Sequence, residues 1–567
     1  MLWSAPLRMA APHDTASPAA SPAVTPVANA GPAEPRIESV ECEHGERCGG
    51  CPLLPLTYGA QLALKHARVA SAFARYSWTA LAPIEPVAAA TPIVAYRTRA
   101  KLIVARGGAI GLFAKGGGHH VVDIPRCRVL APVLSGVAAA LRERIRASEA
   151  AGGALAPFEP AGTGALRAVD LREVRDGAKS RVLVTFVVER SRAGDLTALE
   201  RAARDLMQAL PEVAGVAANF HANVDGREAP QILGGETRTL AGVASAPDRV
   251  GASVHLATFG SFVQAHRGQT AAVHALLADA VGLSRESREP QRGRGPRVLD
   301  LYGGSGSIAL GLAAAGARVM LVESFAPAAQ QAAAAAQAQH LEVDAVCADT
   351  AAALKALHER GEHFDAAVVN PPRRGTSPAA REALARLEPQ TVAYVSCEPE
   401  TLARDLAHLA RLGYRAASLR PLDMIPLTDE VETVAVLRRG AIPPPRVVYE
   451  DADVLVVDKG PHEPTAPDGK FAGSLQARVR SIAGAEEAVP VQWPDVGTSG
   501  LTVFARRPEH AAKWRQALGA PTTRSRLWPD AIETRRYRER AFTSAPPSWR
   551  ARAMLPFEGV TPRTIAM

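Results

Sequence analysis

Between Arg297 and Cys397 five apolar runs each stop at a polar side chain, and each is followed by a helical pattern. Strand and helix alternating in this way fold as an α/β domain whose parallel sheet carries helices on both faces. The runs end at Asp300, Glu323, Asp349, Asn370 and Cys397. In an open, doubly wound sheet ligands bind beyond the carboxyl ends of the strands, so the alternation predicts one site drawing on all five.

The first run, P-R-V-L-D-L-Y-G-G-S-G-S-I-A-L, passes through a glycine loop (Gly303, Gly304, Gly306) into a helix. Such a loop brings backbone amides and a helix start close to a ligand, and an acid about 20 positions on, here Glu323, can accept both ribose hydroxyls. Dinucleotides and S-adenosylmethionine both use this geometry. The loop lacks the Gly-x-Gly-x-x-Gly spacing of the dinucleotide fingerprint, which favours the methyl donor. Asp349 is placed for an adenine edge, and Asn370, in V-V-N-P-P-R-R-G, precedes two prolines that stiffen the turn.

The fifth run, V-A-Y-V-S-C-E-P, puts a thiol at the same edge. A free cysteine is most often a small buried hydrophobe, but beside four other strand ends Cys397 reads as a nucleophile. Carbon 5 of a uracil is too weak a nucleophile to take a methyl group from a sulfonium, and a thiolate added at carbon 6 turns it into an enolate equivalent. A base must then remove the proton from carbon 5. The run T-D-E-V-E-T-V offers Asp429, Glu430 and Glu432, where the plain alternative is a solvated charge cluster.

At 567 residues the chain is too long for one core and is expected to form three or four domains. Residues 1–36, dominated by Ala, Pro, Ser and Thr, read as a disordered tail. The segment C-E-H-G-E-R-C-G-G-C-P then clusters Cys42, Cys48 and Cys51, and Cys127 is the nearby candidate for a fourth ligand. Spacing alone leaves both zinc and an iron–sulfur cube open. Six cysteines are too few and too unevenly placed for a secreted disulfide scaffold. Between the cysteines, Tyr96 to Arg106 alternates basic and apolar residues at strand period, as a solvated face or an RNA phosphate contact would. Strand patterns and one amphipathic helix between about 135 and 250 suggest an α+β module, and a polar Gly/Pro-bearing linker begins at Ser284. A net charge of +8 with pI near 9.3 suits a polyanionic partner. With no apolar run long enough to span a bilayer and no leader pattern at the start, the expectation is a cytoplasmic protein with no membrane partner and no obligate protein partner.

Taken together these segments resemble the S-adenosylmethionine-dependent RNA 5-methyluridine methyltransferases, specifically the iron–sulfur bacterial 23S rRNA enzymes. The resemblance runs from Cys42 to about Arg439. It rests on C-x5-C-G-G-C with the later Cys127, F-x-Q at Phe262 to Gln264, D-L-Y-G-G-S-G, N-P-P-R, S-C-E-P and L-D-M-I-P-L-T-D-E-V-E. It implies that Cys42, Cys48, Cys51 and Cys127 hold a [4Fe-4S] cluster, that Cys397 is the nucleophile and Glu432 the proton acceptor. It also implies that Gln264, Tyr302, Glu323 and Asn370 line the methyl-donor site, with Asp349 beside them. Two positions depart from the family: Asn370 stands where Asp is usual, and Glu430 where His is usual. Losing the Asp charge weakens the expected hold on a cationic donor, so a catalytically inactive RNA-binding scaffold is the competing expectation. No nucleic-acid-binding barrel precedes the cysteines, which points RNA contact towards the Tyr96 to Arg106 face. Large-subunit rRNA is the expected substrate and tRNA the alternative.

Beyond A-I-P-P-P, a stiff linker, R-V-V-Y-E-D-A-D-V-L-V-V-D-K-G and D-V-G-T-S-G-L-T-V-F-A-R look like the catalytic domain of pseudouridine synthases. Asp495 falls where that family's nucleophile does and Tyr537 where its active-site Tyr does, but Gln492 and Trp493 replace the His and Arg. The expectation is an incomplete module that keeps RNA affinity without isomerase activity. The overall fold expected is therefore a disordered tail (1–36), a cluster-bearing β domain (37–134), a small α+β domain (135–255), a doubly wound Rossmann-like methyltransferase domain (256–440) and the incomplete module (446–567).

Overall fold

The computed structural model describes residues 39–76, 82–116, 120–177, 179–221, 231–283, 295–467 and 473–519. The tail 1–36, linker residues 284–294 and Tyr537 lie outside them.

Helix α1 (Tyr58–Ala74) comes first. It is followed by β1 (Arg99–Ala105), β2 (Ala109–Phe113), β3 (Val121–Asp123), α2 (Pro132–Ala150), β4 (Leu166–Asp176), β5 (Lys179–Glu189), α3 (Thr197–Ala209), β6 (Val213–His221) and β7 (Glu236–Gly242). These strands form one seven-stranded sheet, β3-β2-β1-β4-β5-β6-β7. The separate domains expected at 37–134 and 135–255 are thus joined, because β1 pairs with β4 from Arg99↔Arg172 to Ile103↔Ala168. The physical reason is burial. Three short strands with one apolar face cannot cover it alone, and Ala100, Leu102 and Val104 of β1 share a core with Leu134, Leu141 and Ile145 of α2 and with Val169 and Leu171 of β4. Helix α1 departs from the expected boundary in the other direction. Its Val69, Ala72 and Phe73 pack in the core of the second sheet.

After a hairpin, β8 (Ser245–Val250) and β9 (Ser253–Thr258), and helix α4 (Arg267–Ala280), the predicted alternation appears. It runs β10 (Arg297–Leu301), α5 (Ser307–Ala314), β11 (Arg318–Glu323), α6 (Ala326–Ala338), β12 (Val343–Cys347), α7 (Thr350–Glu359), β13 (Ala366–Val369), α8 (Pro378–Arg386), β14 (Thr391–Ser396), α9 (Pro399–Arg411), β15 (Tyr414–Leu422) and β16 (Glu432–Arg439). The order is β12-β11-β10-β13-β14-β16-β15. Strands β10 to β14 are parallel, and β16 runs antiparallel between β14 and β15. Alternate residues feed the two helical layers: Val392 and Tyr394 join the α1/α7/α8/α9 layer, Ala393 and Val395 the α4/α5/α6 layer. The chain order reverses beside β10, the switch point where such sheets bind ligands.

A four-stranded sheet follows, β17-β18-β20-β19, from β17 (Arg446–Glu450), β18 (Val454–Lys459), β19 (Val489–Pro490) and β20 (Gly500–Ala505), with α10 (Leu475–Val479) and α11 (Pro508–Gly519). The preceding prolines do not act as a free spacer. Buried Arg478 donates to the carbonyls of Pro443 (3.0 Å) and Pro444 (3.1 Å) and to both oxygens of buried Glu463 (2.8 and 3.0 Å). Buried Arg411 at the end of α9 donates to the His462 carbonyl at 2.9 Å, which fixes this module to the helix that follows Cys397. Among the described residues no helix is long and apolar enough to cross a membrane.

Candidate active site

At the switch point Asp300 is fully buried. Its Oδ2 accepts from the Ala309 amide of α5 at 3.0 Å, and its Oδ1 has no hydrogen-bond partner among the described residues. Burial, with the nearby Glu323 charge adding to it, pushes the Asp300 carboxyl up to about 7. The turn after it is tight: Tyr302 stands at φ 60° and Gly306 at 87°. A Cβ on Gly306 would come within 2.9 Å of Ala332 on α6, so this position combines a left-handed backbone with close helix packing. Glu323 closes the loop from the next strand, its Oε2 accepting from the Gly304 amide (3.0 Å) and its Oε1 from the Phe325 amide (2.7 Å).

The other donor-site candidates divide. Asn370 follows β13 directly, half-buried, with its amide on the Leu301 carbonyl at 3.2 Å. Tyr302 packs against the α7–α9 layer and shares a hydrogen bond with Thr350, while burial raises its phenol. Asp349 is exposed and caps α7, its Oδ1 accepting from the Ala352 amide at 3.1 Å. Phe325, 64% exposed two positions after Glu323, carries only a weak signal in the sequence, an aromatic just beyond a strand-terminal acid.

The nucleophile and base candidates are brought together by strand pairing. Strands β14 and β16 pair up to Ser396↔Thr433, so Cys397 and Glu432, each one residue further along, come next to one another. Glu432 is only 4% exposed, and burial pushes its carboxyl up to about 7. A hydrogen bond from the Gln264 side chain and the charge of Arg373 oppose that rise. Cys397 is half-buried, its thiol pushed up to about 11 by burial and then by the Glu432 charge, with Arg373 pulling the other way.

Strand alternation would turn Glu430 away from Glu432, and here the structure differs. Strand β16 begins only at Glu432, so the residues before it do not alternate. Glu430 pairs with Arg373 at 2.5 Å, and its charge raises both Cys397 and Glu432. Asp429 is exposed and contributes its carbonyl to Arg68 of α1 at 3.1 Å. Arg68 also reaches Glu398, the residue after Cys397, at 3.0 Å and so ties the thiol turn to the acidic run. Neither arginine's role was visible locally, because Arg68 lies 330 positions from Glu398.

Cys42, Cys48, Cys51 and Cys127 line a single cavity of about 60 Å³ together with Arg97, Lys101 and Leu427. Burial, followed by the charges of the other three sulfurs, pushes Cys51 up to about 12; Cys127 is raised mainly by burial. Four thiols around one cavity would repel one another as thiolates, and thiolates are the ligand type that soft metal centres take. Among the described residues no three His, Cys, Asp or Glu side chains are arranged to hold one metal ion. The cationic face expected along Tyr96 to Arg106 is largely spent internally. Arg99 makes two hydrogen bonds to Asp170 (2.9 and 2.7 Å), Tyr96 is buried and Arg97 lines the thiol cavity, leaving Lys101 and Arg106 as its open cations.

Comparison with known proteins matches this architecture. A family model described as Conserved hypothetical protein 95 matches residues 286–416. An uncharacterized RNA methyltransferase of Thermosynechococcus vestitus is 32% identical over 406 residues, 70% of this chain and 83% of its own length. The chain belongs to the RNA methyltransferases. A second uncharacterized RNA methyltransferase, from Geobacter sulfurreducens, is 30% identical over 72% of this chain and 78% of its own length. The tRNA (uracil-54, C5)-methyltransferase of Pyrococcus abyssi, solved with S-adenosyl-L-homocysteine, shares the fold: TM-score 0.53 and 24% identity over 69% of this chain and 86% of that one. In this RNA methyltransferase Asp300, the glycine loop and Glu323 together form the sheet edge at the switch point, where folds of this kind bind their ligands.

Proposed function

We propose that this RNA methyltransferase methylates carbon 5 of a uracil in RNA, large-subunit 23S rRNA before tRNA, through a covalent adduct with Cys397. The observation that carries the reading is that Cys397 and Glu432 lie side by side just beyond the last β14–β16 pair, Ser396↔Thr433, with a hydrogen bond from Gln264 and the charge of Arg373 acting on the carboxylate. In this reading the Cys397 sulfur bonds to carbon 6 and gives up its proton. Carbon 5 takes the methyl group from the sulfonium, releasing S-adenosylhomocysteine. Glu432 takes the carbon-5 proton, and the sulfur–carbon bond breaks to restore the uracil. The net reaction releases one proton. A thiol held near 11 is mostly protonated at neutral pH; Arg373 and the positive charge of the donor both favour the thiolate. Gln264, Tyr302, Glu323, Asp349 and Asn370 are assigned to the donor side. Asn370 there accepts a hydrogen bond without adding charge.

Incubation with labelled donor and unmodified 23S rRNA or tRNA, followed by digestion to nucleosides, tests this reading. Label is expected in 5-methyluridine from the rRNA. Label from tRNA alone moves the substrate, label in another nucleoside overturns the chemistry, and RNA binding without transfer identifies an inactive scaffold.

The same reading gives Cys42, Cys48, Cys51 and Cys127 a [4Fe-4S] cluster, supported by four thiols around one cavity and by Arg97, whose charge acts on Cys51 there. Bound there, the cluster would cross-link residues 42–51 to Cys127. Anaerobically purified protein is expected to carry about four irons and about four sulfides per chain. Stoichiometric zinc without sulfide contradicts the assignment.

A further inference from the structure

The segment leading into Glu432 is held from outside the methyltransferase sheet. Leu427, five positions before the carboxylate, is fully buried at φ 67°, a backbone state that leucine keeps only when its surroundings enforce it. Its amide donates to Gln61 Oε1 of α1 at 3.1 Å, and its carbonyl accepts from the Leu53 amide, two residues after Cys51, at 3.0 Å. Its side chain packs with Val40, Ile93, Tyr96 and Val129, beside Cys51 and Cys127, and lines the cavity of the four thiols. The preceding residues are gripped by the same elements. Lys65 forms a fully buried pair with Asp423 and donates to the Ile425 carbonyl at 3.1 Å, Tyr58 donates to Asp423 at 2.8 Å, and Tyr96 donates to the Pro426 carbonyl at 3.0 Å.

The partner of Glu432 leaves the same cluster. Ala265, next to Gln264, packs against it, and the Ala265 carbonyl accepts from the Thr98 amide at 3.1 Å. Both side chains that meet at the carboxylate are therefore set by one apolar cluster that also forms a wall of the cysteine cavity. We propose that the cysteine loop and α1 position Glu432 through Leu427, with Gln61 and Leu427 as positioning residues for proton removal from carbon 5. This rests on the reading of Glu432 as the base.

Two substitutions probe the link in the full chain without touching a cysteine: Gln61→Leu removes the acceptor for the Leu427 amide, and Leu427→Gly removes the cavity-wall side chain at a backbone conformation that glycine accepts. Hydrogen exchange of the amides in 424–431 is expected to quicken by about tenfold in either variant, the ratio one lost net hydrogen bond sustains, while β10 to β14 keep their protection. During turnover the methylated protein–RNA adduct is expected to last longer than in the unaltered enzyme, with RNA affinity retained. A structural defect alone would lower binding and transfer together. Unaltered exchange in both variants overturns the proposal, as does faster exchange with a normal adduct lifetime. Glu432→Gln run alongside separates the two claims. If it traps adduct and the positioning variants do not, positioning through Leu427 is wrong; if it does not trap, the reading of Glu432 falls and the proposal with it. Should one variant fail to fold, the other decides.

Discussion

Glu432→Gln is expected to convert the enzyme into a denaturant-resistant complex with its RNA, carrying the new methyl group, with turnover reduced by about 10²–10⁴-fold. In the proposed mechanism the adduct forms at Cys397 before the carboxylate is needed, so removing the base blocks release and leaves attachment intact. The pH dependence follows from burial. Glu432 is held up to about 7, above the ordinary carboxylate range, and only its ionised form can accept the proton. Release of the methylated adduct should therefore slow as pH falls through about 7 and level off above it, and this limb should be absent in Glu432→Gln. Gel mobility under denaturing conditions with labelled methyl donor checks both points. Because Glu430 shares the site and holds Arg373, Glu430→Gln is expected to alter the rate without trapping adduct. Trapping by that variant alone would move the base to the other carboxylate.

Asp405→Ala is expected to cost about 3–5 kcal/mol of stability, read as a lower denaturant midpoint of the methyltransferase body. Asp405 is fully buried on α9. It accepts from the Thr376 amide (2.7 Å) and hydroxyl (2.8 Å), Tyr394 (2.6 Å) and Arg404 (2.8 Å), and it pairs with buried Arg381. These bonds fasten the turn after Asn370 to the helix that follows Cys397. Truncation leaves a buried guanidinium and phenol without their shared acceptor, which costs more than the carboxylate's own contacts suggest. A loss below about 1 kcal/mol would show that water replaces it. Asp405→Asn keeps an acceptor and should lie between the two.

The doubly wound sheet and its strand-terminal residues were legible because each apolar run stops at a polar side chain, a signal confined to a few adjacent residues. Cys397 could be placed at a strand end, but its position opposite Glu432 depends on an antiparallel register fixed only when β16 inserts between β14 and β15. The continuity of the first sheet was not legible, since Arg99 and its partner Arg172 are far apart in sequence and each strand pattern also suits an isolated hairpin. The cationic face of β1 misled for a related reason. Its alternation was read correctly, but the carboxylate that neutralises Arg99 is contributed by β4, 71 positions later. Lys65 and Asp423, a fully buried pair 358 positions apart, carry no local signature, although a Lys at an interior position of an amphipathic helix calls for a buried acid somewhere in the fold.

Covalent catalysis by Cys397 is tested most directly with RNA in which uridine is replaced by 5-fluorouridine. Fluorine at carbon 5 cannot leave as a cation, so a base has nothing to remove once the methyl group is in place and the adduct cannot eliminate. With the methyl donor present, the unaltered enzyme should end as a stable protein–RNA complex whose digestion yields one modified peptide, containing Cys397 and a methylated fluoropyrimidine, and Cys397→Ala should give none. A modified peptide lacking Cys397, or no complex from an enzyme that makes 5-methyluridine in ordinary RNA, would contradict covalent catalysis at this strand edge.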